Sequence, residues 1–250
     1  MRWVPAFWWM GDNFGDLLTP YLIEKISGKP AVWTERLTFP GQVMYLAAGS
    51  VLGENLANVV VWGTGAISAD SKVGKAKEWR AVRGPLTREI VRKAGNECPE
   101  LFGDPGILMP FFFHPKVAKT HDIGIVPHYA DLYDVYQAYG DYHRVKIIRV
   151  TDPVETVVQE ILSCRTILSS SLHGIVMAEA YSIPCAWVEF SDRVVGKGFK
   201  FLDYWGGVGA KPLDPIDLRA FGPILPAVKK ARQFIIPGLL KQRLLKAAPF

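Results

Sequence analysis

Serine, histidine and glycine stand together in Ser169-Ser170-Ser171-Leu172-His173-Gly174, the stretch of this 250-residue chain best equipped to move protons beside an anion. An imidazole with an ordinary pKa of about 6.5 exchanges protons near neutrality. A glycine beside it lets the backbone come close to a ligand. The serines interrupt the apolar run of residues 166–168, which suits a strand. Apolar bulk then returns at helical spacing through Ile175, Val176, Met177, Ala178 and Ala180. Ile183-Pro184 ends that helix, because a residue before proline avoids the helical region. Residues 185–190 read as the next buried strand. His173 therefore sits where a parallel strand turns into a helix, the edge at which open α/β sheets bind ligands. The unpaired amides of a helix start favour an anion there. Two readings follow: an anion cradle with an acid/base group, or a histidine that caps its own helix.

Other residues stand at similar edges. Arg83 follows a strand at 79–82 and precedes Pro85, well placed as the first residue of a helix over 86–94 that Gly95 stops. An arginine there pairs bidentately with carboxylate or phosphate, or makes a surface ion pair. Asn13, Gly15 and Asp16 lie in a turn between a first strand at 3–9 and an amphipathic helix at 17–26 stopped by Gly28. They line a cleft, or they cap the helix. Gly63 opens Gly63-Thr64-Gly65 after a strand at 59–62. This is not GxGxxG, so no dinucleotide fingerprint is present, but it allows close backbone approach. Asp104, before Pro105, orients a ligand hydroxyl or a catalytic histidine, or makes an Asx-turn. His128 ends a strand at 123–126 and is a second acid/base or anion-pairing candidate. His114, His121 and His143 read as surface or packing residues. Arg193 and Lys197 belong to a basic, glycine-bearing loop at 192–200 that could border the site. Trp8, Trp9 and Trp205 are candidates to stack on a sugar, whereas Trp62 and Trp187 read as core.

The elements that must position these residues alternate between strand and helix, with further apolar runs at 44–48 and 145–150. Asp152 as N-cap, Pro153 first and Glu155 in capping-box position announce a helix at 154–164. This pattern predicts α/β with parallel sheets. Two series joined by the aromatic linker at 110–115 predict two Rossmann-like domains, 1–115 and 116–250, facing across a cleft. Hydrophobic residues make up 49%, enough for a full core. The net charge of +5 is spread out and suits an anionic substrate or membrane surface, and nucleic acid is not expected. Three cysteines without CxxC spacing indicate neither a disulfide framework nor a zinc site, and no other metal ligand cluster is apparent. No stretch reaches the roughly 20 apolar residues of a membrane span, and the N-terminus lacks signal-peptide character. Cytoplasmic residence is the default expectation. The segment 227–250 interleaves Lys and Arg with apolar residues and is divided by Pro237-Gly238 into two short helices. Such a pair lies on the inner face of an anionic membrane or docks across the two domains.

Five blocks in order also carry a resemblance. NFGDLLTPYLIEKISG, VWGTGAI, AVRGPLTREIVRKAG, LFGDPGILMP and SSSLHGIVMAEAYSIP, spanning Asn13 to about Glu189, resemble the polysaccharide pyruvyl transferase family, in particular its compact exopolysaccharide members. The resemblance implies a glycosyltransferase-B-like fold and transfer of a pyruvyl group from phosphoenolpyruvate, a co-substrate rather than a cofactor, to a saccharide acceptor, free or lipid-linked, as a cyclic ketal. It implies a catalytic role for His173, with His128 the weaker candidate as base. Arg83, Ser170, Ser171, Gly174, Arg193 and Lys197 would serve the donor, and Asn13, Gly15, Asp16, Gly63 and Asp104 the acceptor side. Many members carry arginine just before the Leu-His pair, where this chain has Ser171. Arg83, Arg193 or Lys197 must then substitute. A nucleotide-sugar glycosyltransferase on the same architecture would instead need a ribose-binding carboxylate, Glu179 or Glu189. A non-catalytic carbohydrate-binding or assembly protein would bind sugar without turnover.

Overall fold

The computed structural model describes residues 2–35 and 41–250. Its strands and helices in chain order are β1 (Val4–Ala6), α1 (Phe14–Ser27), β2 (Ala31–Trp33), β3 (Met44–Leu46), β4 (Val59–Trp62), β5 (Glu78–Ala81), α2 (Pro85–Lys93), α3 (Met109–Phe112), β6 (His121–Val126), α4 (Leu132–Tyr139), β7 (Val145–Ile147), α5 (Val154–Leu162), β8 (Cys164–Ser169), α6 (Leu172–Ala180), β9 (Cys185–Glu189), α7 (Phe199–Val208), β10 (Ile216–Asp217), α8 (Leu225–Lys230) and α9 (Gly238–Lys246). The strands form two five-stranded sheets, β2-β1-β3-β4-β5 and β10-β9-β8-β6-β7, and the pairs within each are parallel. Counted within its own half, each sheet runs 2-1-3-4-5. That order reverses direction between its first and third strands, and the crevice beyond those strand ends is where such sheets bind ligands.

The parallel α/β expectation holds, with differences. In the first half, the connections 47–58 and 63–77 contain no helix, so β3, β4 and β5 are joined by loops. The first strand is shorter than 3–9: only residues 4–6 stand in register with β2. The expected linker at 110–115 is partly helical, as α3. Asp152 does not cap α5. Its carboxylate takes Arg149 instead, at 2.8 and 3.1 Å, and Glu155 accepts from Tyr21 Oη at 2.7 Å. Gly28 and Gly95 do occupy the left-handed region that ends a helix, at φ 68° and 80°.

One buried cluster spans both halves. It joins Phe14, Leu18, Leu22 and Trp62 to Val157, Ile161, Ile175 and Met177. α1 belongs to the first half by sequence, yet it packs on α5, α6 and the 3-10 turn at Pro105–Leu108. Its first amide, on Phe14, donates to Val150 O at 2.7 Å. The segment beyond 237 also docks on both halves. Leu244 is buried and its carbonyl accepts from Trp62 Nε1 at 2.9 Å. Phe250 meets Tyr45 and Trp62 edge-on, and Lys241 Nζ donates to Ala180 O at 3.3 Å. Leu239 on this segment and Ile235 just before it face outward. Among the described residues no helix is long and apolar enough to cross a membrane.

Candidate functional site

The loops at both direction-reversing crevices line one cleft. Trp9, Asn13 and Asp16 follow β1, and Gly49, Ser50 and Val51 follow β3. From the second half, His128 and Tyr129 follow β6, and Ser171, Leu172 and His173 follow β8. Ile67 and Lys200 complete a cavity of about 250 Å³. Hydrogen bonds fix the β3 loop. Thr64 Oγ1 donates to Gly49 O at 2.9 Å and accepts from the Val51 amide at 3.3 Å. Thr19 of α1 accepts from the Ala48 amide at 3.0 Å, which ties α1 to the same loop.

His173 is buried in the first turn of α6, and Ser171 heads that helix without a side-chain cap. Its Nε2 lies 3.3 Å from Asp104 Oδ2. The two atoms are not aligned as a hydrogen bond, and among the described residues neither has a hydrogen-bond partner. Asp104 is held by the other oxygen, which accepts from the Gly106 amide at 2.9 Å as an Asx-turn. The Asx-turn reading of Asp104 holds, and its other oxygen is the one beside His173. A carboxylate near Nε2 favours the tautomer protonated on that nitrogen. Nδ1 is turned toward Gly15, where an added Cβ would overlap the imidazole. Phe14 contacts the ring edge-on at 6.2 Å between centroids. Asn13 both lines the cleft and caps α1, accepting from the Gly15 amide at 3.0 Å.

The charges in the cleft are perturbed by their surroundings. Burial raises Asp16 to about 6, against the opposing pull of His173 and Lys200. Burial lowers Lys200 to about 8, helped by Arg83 and opposed by Asp16. Burial, then Lys200, lowers His128 to about 4, against the pull of Asp131, so its imidazole is neutral at pH 7. His128 Nδ1 accepts from the Ala130 amide at 3.3 Å, and the neutral ring then carries its proton on Nε2. His128 thus offers the cleft a hydrogen-bond donor.

Several expected site residues lie elsewhere. Arg83 is fully buried. It donates from Nε to Asp203 Oδ2 at 3.0 Å, from Nη1 to Ser50 Oγ at 2.6 Å and from Nη2 to Ala66 O at 2.6 Å. It reaches the cleft only through Ser50. Arg193 donates to Asp131 at 3.1 Å and Asp134 at 2.5 Å, and Lys197 lines a separate cavity with Ser170, Trp187, Glu189 and Ser191. Ser170 Oγ accepts from the His128 amide at 2.9 Å and so positions that residue. Gly174 packs against Ser169 and Val126, and Gly63 packs against Pro105. Trp8 and Trp205 are buried, as are Trp62 and Trp187, which leaves Trp9 exposed at the cleft. Glu179, one of the two carboxylates a nucleotide-sugar enzyme would use, is buried and accepts from Trp205 Nε1 at 2.9 Å. Sequence reasoning missed Lys200 and Ser50. Lys200 ends the basic loop that drew notice, whereas nothing in the sequence around Ser50 marks it. Among the described residues no group of three or more His, Cys, Asp and Glu stands close enough to hold a metal ion.

A family model described as polysaccharide pyruvyl transferase matches residues 57–192, just over half of the chain. The match omits the N-terminal block around Asn13 and includes Asp104 and His173. An uncharacterized protein of Acanthamoeba polyphaga mimivirus is 28% identical over 199 residues, which cover 77% of this chain and 69% of that protein. The succinoglycan biosynthesis protein ExoV of Rhizobium meliloti (strain 1021) is 28% identical over 214 residues, covering 80% of this chain and 63% of ExoV. The chain thus spans less than two thirds of ExoV's length.

Proposed function

Because the chain belongs to the polysaccharide pyruvyl transferase family, we propose that it moves the pyruvyl group of phosphoenolpyruvate onto two hydroxyls of a saccharide, forming a cyclic ketal. The observation that carries this reading is the pairing of His173 with Asp104 at the wall of a cleft that also holds a cation. The likeness to a succinoglycan biosynthesis protein supports a polysaccharide, or its lipid-linked precursor, as the acceptor. The two sheets facing one cleft support a glycosyltransferase-B-like arrangement, with the donor held mainly by the second half and the acceptor by the first.

The reaction must protonate the methylene carbon of the enol, which leaves C2 electrophilic. One hydroxyl oxygen bonds to C2. The C2–O bond to phosphate breaks, and the second hydroxyl oxygen closes the ring. Of the two hydroxyl protons lost, one balances the new methyl hydrogen and one leaves with phosphate. His173 suits the proton-donating role, because its imidazole lines the cleft with the Asp104 carboxylate 3.3 Å from Nε2. Neutral His128 Nε2–H is a hydrogen-bond donor to an acceptor oxygen or to departing phosphate.

The test is phosphate release and ketal formation from phosphoenolpyruvate with a panel of saccharides. His173→Ala is expected to lower turnover by about 10²–10⁴-fold while the protein stays folded. Near-normal turnover in that variant would remove His173 from the chemistry. The exposed Ile235 and Leu239, beside basic residues, support peripheral membrane contact of the 227–250 segment. Replacing both by Asp is expected to abolish sedimentation with anionic vesicles, and unchanged sedimentation would remove that contact.

A further inference from the structure

If Arg83, Arg193 and Lys197 do not face the cleft, something else must hold the negative charge of a substrate there. Among the described residues that line the cavity, Lys200 is the lysine or arginine. We propose that the ammonium of Lys200 and the hydroxyl of Ser50 form a subsite for an anionic group, a carboxylate or a phosphate.

The geometry of α7 leads to this pair. Gly198 precedes the helix in the left-handed region at φ 80°, pressed against the Trp187 ring where a Cβ would not fit. That contact sets the entry of α7 and the placement of Lys200 in its first turn. Asp203 is three residues on, and positions three apart share a helix face. Asp203 takes Arg83 Nε at 3.0 Å and both the amide and the hydroxyl of Thr87, at 2.8 and 2.6 Å. The same helix face thereby brings Lys200 beside Arg83, which clamps Ser50 from behind at 2.6 Å. Since Arg83 donates to Ser50 Oγ, the hydroxyl proton of Ser50 remains to donate elsewhere, and Ser50 lines the cavity. The buried guanidinium therefore acts on the cleft through a neutral hydroxyl.

The groups acting on Lys200 agree with an anion subsite. Arg83 repels its charge from one side and Asp16 of α1 attracts it from the other. Lys200 in turn lowers His128, and Asp16 also feels His173 and Asp104. An incoming anion competes with Asp16 for the ammonium and favours its protonated form. Binding is expected to tighten as pH falls toward 6 and to weaken above pH 8, where Lys200 loses its proton.

This inference rests on pyruvyl transfer only for the identity of the anion. The experiment measures binding to the full chain by calorimetry and thermal shift, using phosphoenolpyruvate, inorganic phosphate, pyruvate and a nucleoside diphosphate. Lys200→Met is expected to weaken phosphoenolpyruvate about tenfold or more, the scale of a charge-assisted contact. Lys200→Arg is expected to recover most of it, with the weakening above pH 8 abolished. The smaller probe that loses affinity in Lys200→Met identifies the end of the substrate that is held. Should Lys200→Met fail to fold, the pH dependence of wild type against Lys200→Arg decides the matter. Equal anion affinity in wild type and Lys200→Met, no pH difference between wild type and Lys200→Arg, or no anion binding by wild type would overturn the subsite. Binding of the nucleoside diphosphate but not phosphoenolpyruvate, lost in Lys200→Met, would keep the subsite and overturn pyruvyl transfer.

Discussion

Asp16 and Lys200 are each held where their charge is disfavoured, and this places binding and stability in opposition. The folded pKa of Asp16 is raised from 3.8 to about 6, so its contribution to stability is fully present below about pH 4 and is lost as pH rises through 6. A shift of that size corresponds to about 3 kcal/mol at neutral pH. Asp16→Asn is therefore expected to stabilise the fold by on the order of 1–3 kcal/mol at pH 7.5 and by much less at pH 4.5. Denaturant midpoints of wild type and variant at the two pH values test this. A constant difference would show that Asp16 is not the titrating group. Gly15→Ala makes the opposite case. Alanine favours a helix, but here its methyl group would displace the His173 imidazole. The variant is expected to lose about 1–3 kcal/mol of stability, the usual range for overpacking, together with its turnover. A variant with unchanged activity would show that His173 has room to move.

At the scale of elements, the strand-to-helix edges were legible because glycine, proline and apolar spacing mark them locally. α6, the left-handed stops at Gly28 and Gly95, and Pro85 at the start of α2 all follow from such marks. What faces what was not legible. Arg83 and Asp203 are far apart in the chain, and only the packing of α2 on α7 makes the arginine an internal tie rather than a ligand contact. Glu179 sits on a helix buried on every side, so a polar face did not exist for it. Asp152 lost its capping role to Arg149, which lies beside it on the same turn. The Arg83–Asp203 pair carries its own prediction. Asp203→Ala leaves a buried guanidinium without its carboxylate, and a loss of about 3–5 kcal/mol is expected. Thermal or denaturant unfolding measures this, and a loss below about 1 kcal/mol would mean that Ser50 and Ala66 satisfy Arg83 alone.

For the whole molecule, the sequence pattern implied two series of strands, and two sheets are present. Their shared core was hidden, because a pattern of apolar residues does not say which sheet a helix covers. α1 follows β1 in the chain yet rests on α5 and α6. With Phe14, Leu18 and Leu22 inside one cluster with Val157, Ile161 and Ile175, the halves are expected to unfold in one transition. Fluorescence and circular dichroism midpoints should coincide, and two separated transitions would show independent halves.

The docking of α9 carries a consequence for how the protein is made. Leu244 accepts the indole N–H of Trp62 and covers Gly103, next to Asp104, while α9 packs on the 3-10 turn that begins at Pro105. Asp104, the neighbour of the His173 imidazole, is thus steadied by residues that emerge from the ribosome long after it. Synthesis proceeds from the N-terminus, and a chain still tethered beyond His173 already has both sheets' central strands, but not the buttress behind Asp104. In the nascent chain, Trp62 and the turn after Asp104 therefore lack this buttress until residue 244 has emerged.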